Sequence, residues 1–337
     1  MKKLKFLLIG FLLVPALFLS SCDRGEDLNP ENPIATPAFT LMKNYMIANE
    51  LDINNILSGP GGTIKFVTGA PAEADLAAFL AKYYILDIRS GDAFAAGHIE
   101  GAKNVAFSDI LTEAASANKQ ILVVCYSGQT ACYATSLLRL YGYPDAQALK
   151  WGMSGWNPDT AGSWNSNIGD PAVGNANWTY SSPPANNVYN DPTIQSISQD
   201  GGEILQQRVE EIVVKGFQTV SNGEVLASPG NYFVNNYFSE TDYSAFGHIS
   251  NAYRIKDDLF LATDGYKALD SDASAQMASY CYTGQTSAVL TAWLQVLGYD
   301  AYSLTFGTNG MYHSNSAWTT NQWGVGSSVP KNLPLVQ

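Results

Sequence analysis

The stretch Cys125-Tyr126-Ser127-Gly128-Gln129-Thr130-Ala131 occurs twice: 156 positions later it returns as Cys281-Tyr282-Thr283-Gly284-Gln285-Thr286-Ser287, with five of its seven residues unchanged. The match extends downstream. Gly142-Tyr143 returns at the same offset as Gly298-Tyr299, and Leu149, Trp151 and Gly152 return one residue out of step as Leu304, Phe306 and Gly307. A run of matched residues at a fixed separation marks a duplicated unit. With 337 residues the chain has length for two domains that each bury a core.

Working outward from the first copy, short apolar runs rich in β-branched and aromatic residues fall at 64–67, 83–88, 104–107, 121–126 and 146–151. Between the last two, Ala131, Ala134, Leu137, Leu138 and Tyr141 repeat at helical spacing over 130–141, and Gly142 stops the helix. In the second copy 232–238, 251–255, 277–281 and 301–306 play the corresponding parts. Strands alternating with helices predict an α/β fold, a parallel sheet in each copy with helices on both faces. The copies are expected over 40–165 and 201–326. Residues 166–200, rich in Asn, Pro, Gly and Ser, read as a linker.

Each cysteine thus closes a buried strand and opens a loop that runs straight into a helix, the edge at which open α/β sheets bind ligands. Gly128 and Gly284 let the loops Tyr126 to Ala131 and Tyr282 to Ser287 curl, so that several backbone N–H groups aim at one point. Those donors and the helix dipole make an anion pocket around the sulfur. The expectation is a thiol whose pKa falls below the free value of about 8.5, giving a nucleophile near neutral pH. Cys132, two helical turns after Cys125, reads as a core residue. The tryptophans after each copy, Trp156 and Trp164, then Trp318 and Trp323, read as packing at domain edges.

At these residues both halves resemble rhodanese homology domains. The matching pieces in the first half are Asp87-Ile88-Arg89, then Phe94 to Ala102 with its Gly97-His98-Ile99 turn, then the Cys125 loop and Gly152 to Trp156. In the second half the Cys281 loop and Gly247-His248-Ile249-Ser250-Asn251-Ala252 match, whereas Asn235 and Tyr237 stand where Asp and Arg are expected. The resemblance implies a five-stranded parallel sheet per domain. It also implies a sulfurtransferase that moves sulfane sulfur from a small donor such as thiosulfate to a thiol or cyanide acceptor, through a persulfide on Cys125 or Cys281, without a cofactor. Asp87 and Arg89 are expected to support the loop as an ion pair, and His98 and His248 to be structural. Neither loop carries a charge, so thiosulfate, a dianion, is expected to be a poor donor. Rhodanese-related phosphatases close a longer loop on an arginine, and Ala131 and Ser287 fall in that place. The competing reading is a non-catalytic, lipid-anchored binding or scaffold protein.

Ahead of the repeat, Lys2, Lys3 and Lys5 lead into a mostly apolar run that ends at Ser20-Ser21-Cys22. Residues 1–21 read as an export signal, too short for a comfortable membrane span. Small residues before Cys22 resemble the lipobox of bacterial lipoproteins, implying acylation of Cys22, a tether over 22–39 and a place in the bacterial cell envelope, on the periplasmic or surface face. The lipid is then the membrane contact. Loss of three lysines moves the formal charge from -12 to -15, which excludes nucleic acid as a natural partner. Three histidines, scattered, and three remaining cysteines form neither a zinc site nor a disulfide framework.

Overall fold

Parallel strands buried on both faces need near-continuous apolar runs, and Ile121-Leu122-Val123-Val124 is one. In the computed structural model, which describes residues 36–272 and 276–337, this run forms the middle of a five-stranded sheet. Its strands are β1 (Val67–Thr68), β2 (Tyr83–Asp87), β3 (Lys103–Asn104), β4 (Gln120–Val124) and β5 (Gln147–Leu149), all parallel, in the order β1-β5-β4-β2-β3. The export signal, Cys22 and the tether up to residue 35 lie outside the described residues. Near the boundary expected at 40, a helix covers Ala38–Ala48 and buries Phe39, Met42 and Met46.

Further strands are β6 (Trp178–Thr179), β7 (Thr219–Val220), β8 (Phe233–Asn236), β9 (His248–Ile249), β10 (Met277–Tyr280) and β11 (Ala301–Leu304). The second sheet is parallel with order β7-β11-β10-β8, the order of the first sheet less its last strand. Here the expectation of five strands needs correction. Instead of a strand at 251–255 there is a single parallel bridge between Asn235 and Tyr253, and the preceding β9 turns away to pair antiparallel with β6. Asn251, at φ 63, breaks the extended path between them. Most of 166–200 is irregular apart from β6.

Helices cover both faces of each sheet. The helix Gln129–Tyr141 follows β4, and Gln285–Leu297 follows β10; both end on a left-handed glycine, Gly142 and Gly298, where only glycine adopts the conformation without strain. These two helices pack on each other and join the inner faces of the sheets into one hydrophobic cluster, with Leu86, Val123 and Leu138 from one half and Met277, Leu290 and Trp293 from the other. Each such side chain, fully buried, contributes about 1.5–3 kcal/mol. Polar contacts cross the same seam: the Tyr133 hydroxyl donates to Gln295 Oε1 at 2.6 Å. On the outer face of the first sheet Ile85, Leu122, Val124 and Trp156 pack with Leu333 from the far end of the chain. The Trp156 indole donates to the Pro334 carbonyl at 2.9 Å, so the last residues close over the first half.

Candidate functional site

The site grows from β4. At its end the backbone leaves the sheet, and three consecutive carbonyls find partners on the far side of the loop. Met153 N–H donates to Cys125 O at 2.8 Å, Ser154 N–H to Tyr126 O at 3.1 Å, and the Trp164 indole to Ser127 O at 2.9 Å. With the carbonyls tied back, the amides turn inward: Gly128 N–H and Ala131 N–H donate to Cys125 Sγ at 3.1 and 3.3 Å. Gly128, at φ 87, is what lets the chain turn into the helix there. Gly152, at φ 56, packs so closely beneath that an added Cβ would lie 2.3 Å from Cys125 O.

This is the amide nest expected from the sequence, but its electrostatic outcome differs. Cys125 is 3% exposed, and burial, which penalises the thiolate, raises its pKa; the amides of Ala131, Ser127 and Gly128 only partly offset that. The expected fall in pKa is therefore corrected: in this conformation Cys125 is a covered thiol whose pKa is raised. Of its loop only Tyr126 is exposed, with Thr130 half-buried, while Ser127, Gly128, Gln129 and Ala131 are buried. The Tyr126 hydroxyl meets Ser90 Oγ at 3.0 Å.

Asp87 and Arg89 behave as the sequence suggested. They form a buried ion pair at 2.6 Å, Arg89 Nη2 also donates to Gly97 O at 2.8 Å, and Arg89 N–H donates to Asp87 Oδ1 at 3.0 Å. The pair ties the end of β2 to the Gly97-His98 turn, and the Arg89 guanidinium lies 5.8 Å from the centre of the Tyr126 ring. His98 stacks on Phe94 and bonds the Phe94 carbonyl through Nδ1, and His248 bonds two carbonyls, those of Ile249 and Ser181. Both are structural fittings.

The Cys281 loop repeats the backbone plan. Thr308 N–H donates to Cys281 O at 3.0 Å and Asn309 N–H to Tyr282 O at 3.1 Å, and Gly307 packs beneath as Gly152 does. Its sulfur is held differently: Ser287 N–H donates to Sγ at 3.4 Å, and Sγ donates to Ser287 Oγ at 3.7 Å. Cys281 is 2% exposed. Strand register also corrects one alignment. Asp87 lies beside Val124 in β4, and in the second half it is Asn236 that lies beside Tyr280. Asn236 and Phe238, rather than Asn235 and Tyr237, therefore hold the places of Asp87 and Arg89. Asn236 Oδ1 accepts from Phe238 N–H at 2.8 Å, the same local bond without the ion pair.

The two loops also touch, a contact that the sequence reading missed. Gln285 Nε2 donates to Ser127 O at 3.3 Å, and Phe306 N–H donates to Gln129 Oε1 at 2.8 Å. Trp151, Trp164, Trp323 and Phe306 pack over this junction. Cys132 is fully buried and, like the loop cysteines, free. Among the described residues no cluster of His, Cys, Asp or Glu could hold a metal, and no helix is long and apolar enough to cross a membrane.

A parallel α/β sheet that delivers a cysteine into an amide-lined loop at the start of a helix defines a class of cysteine-loop proteins. Residues 72–159, which contain Asp87, Arg89 and Cys125, match the rhodanese-like domain family. The thiosulfate sulfurtransferase GlpE of Shewanella oneidensis is 34% identical over 79 residues, 23% of this chain and 78% of that protein. GlpE of Pseudomonas fluorescens is 35% identical over 75 residues, 21% of this chain and 68% of that protein. A solved thiosulfate sulfurtransferase from Pseudomonas aeruginosa aligns over 88% of this chain and 49% of its own at 17% identity, with a TM-score of 0.29. The chain belongs to the rhodanese-like family, a family of sulfurtransferases.

Proposed function

We propose that the protein is a sulfurtransferase built from two rhodanese-like domains, in which Cys125 carries sulfane sulfur as a persulfide. One observation carries this reading: within the half that matches the family, the Gly128 and Ala131 amides converge on Cys125 Sγ. With thiosulfate as donor, the Cys125 thiolate attacks the outer sulfur, the S–S bond of thiosulfate breaks, and sulfite leaves with the bond pair. The outer sulfur of the new persulfide is anionic and takes up the amide donors. A thiol or cyanide then removes it and returns the thiolate. Because Cys125 is covered and its thiol pKa is raised, sulfur uptake follows an opening of the loop and loss of the thiol proton. With no charged side chain in the loop, a donor whose reacting end carries at most one charge, such as glutathione persulfide, suits the site better than thiosulfate, whose two charges both enter with the sulfur. Residues 1–21 would direct export and Cys22 would carry the lipid that holds the protein in the cell envelope.

A second reading concerns the second half alone. Its cysteine accepts from Ser287 N–H and lacks the ion pair beside it, which favours a binding or scaffold role there. An acceptor assay with thiosulfate, polysulfide and glutathione persulfide separates the two. The wild type and C281S should turn over and C125S should not, whereas equal rates in C125S and the wild type would refute the assignment.

A further inference from the structure

The registers of the two sheets isolate one layer in which the halves differ chemically. Across β2, β4, β5 and β1 the row is Leu86, Val123, Ala148 and Val67. Across β8, β10, β11 and β7 the same row is Asn235, Ser279, Ser303 and Thr219. Above it, Ser287 stands where the first half has Ala131. Every position is apolar in one half and polar in the other. The row faces the shared core, because its neighbours two residues along each strand, Phe233, Tyr237, Met277, Cys281 and Ala301, all belong to that cluster. Asn235, Ser279, Ser287 and Ser303 are each 0% exposed.

Part of this layer is paired. Ser287 Oγ and Ser303 Oγ share a hydrogen bond at 2.9 Å, and the Cys281 thiol donates to Ser287 Oγ. The rest is not: both polar atoms of the Asn235 amide, and the Ser279 hydroxyl beside it in the register, have no partner among the described residues. An amide brings two donors and two acceptor sites, and leaving all of them unpaired in a close-packed core is strongly unfavourable. Buried polar groups in this position are paired with internal solvent. The set contains no acid and no base, so its ligand is neutral, and it both donates and accepts.

We infer that Asn235, Ser279, Ser303 and Ser287 form an internal hydration site beneath Cys281, holding water between β8, β10, β11 and the helix Gln285–Leu297. Through the Ser287 hydroxyl the site sets the hydrogen bond of the Cys281 thiol. Cys125, over an apolar row, accepts from the Gly128 and Ala131 amides and has Ala131 in place of that hydroxyl. The two cysteines thus stand in different surroundings although their loops are near copies.

The test uses the whole protein and its Asn235→Leu variant, which installs the first half's residue with the same number and branching of side-chain heavy atoms. A crystal structure of the wild type should show ordered solvent within hydrogen-bond distance of Asn235 and Ser279. Water-oxygen magnetic relaxation dispersion should show the loss of at least one long-lived internal water in N235L. The infrared S–H band of Cys281, assigned by its disappearance in C281S, should shift toward a weaker hydrogen bond in N235L. A wild-type crystal in which the Asn235 amide is paired with protein atoms and no solvent lies beside it would overturn the inference. So would a water count and an S–H band that are both unchanged in N235L.

Discussion

Replacing Gly152 by alanine probes the support of the cysteine loop without touching the sulfur. Gly152 sits at φ 56, ψ -149, a region that is essentially reserved for glycine, and an alanine held there costs about 1–3 kcal/mol. The added Cβ would lie 2.3 Å from Cys125 O, 2.6 Å from Gly128 N and 2.8 Å from the Tyr126 carbonyl carbon. All three are backbone atoms, so none can rotate aside, and relieving such overpacking costs roughly another 1–3 kcal/mol. The expected total is about 2–6 kcal/mol, which for a cooperative unit of about 300 residues lowers Tm by roughly 3–10 °C. Because relief moves the Cys125 and Gly128 backbone, the amides should leave the sulfur and sulfur uptake should fall with stability. Gly162→Ala is the control, since a Cβ there meets nothing within 4 Å. Thermal unfolding followed by circular dichroism measures the difference. If G152A and G162A unfold together, the packing described beneath the loop is wrong.

Asp87→Ala should cost about 3–5 kcal/mol in denaturant unfolding, because it strands the Arg89 guanidinium, 5% exposed, with the Gly97 carbonyl as its remaining partner; stability near wild type would contradict the buried ion pair. Leu333→Ala should cost about 2–5 kcal/mol, since Leu333 is 2% exposed in the outer core of the first half, and a surface-like loss below about 0.5 kcal/mol would mean that the chain end does not dock there. Burial raises the Cys125 thiol pKa, so iodoacetamide labelling of Cys125 should rise with pH to a midpoint above that of free cysteine, and a midpoint below it would refute the covered site. The same sign makes burial of the neutral thiol stabilising below about pH 8.5, a contribution lost as pH rises through the raised folded value.

Much of this was legible in residues 125–131 and 281–287. The repeat, the strand before each cysteine, the helix after it and the inward amides all follow from apolar runs and glycine placement, which are local properties. Burial of the sulfurs was not legible. Both sulfurs belong to the core cluster that the two halves share, and the loops are tied to Trp164 and to each other through Gln129 and Gln285; pairwise sequence patterns do not encode contacts between segments so far apart. That burial decides the sign of the Cys125 pKa shift, which the amides alone would have set the other way. The fifth strand of the second half failed for a local reason, a left-handed Asn251 that the apolar count overlooked. The displaced equivalence of Asp87 needed the strand register, since the segment from Asn236 to Cys281 is seven residues longer than that from Asp87 to Cys125. The polar row of the second half was visible in principle: Asn235, Ser279 and Ser303 each interrupt a strand at the position its counterpart keeps apolar.

The most direct test is peptide mass spectrometry of the wild-type protein after brief exposure to glutathione persulfide, with each cysteine-containing peptide read separately. The account predicts a gain of one sulfur on the Cys125 peptide, discharged on adding cyanide or a thiol and absent from C125S. An unmodified Cys125 peptide in a sample whose sulfur-transfer activity is intact would contradict it.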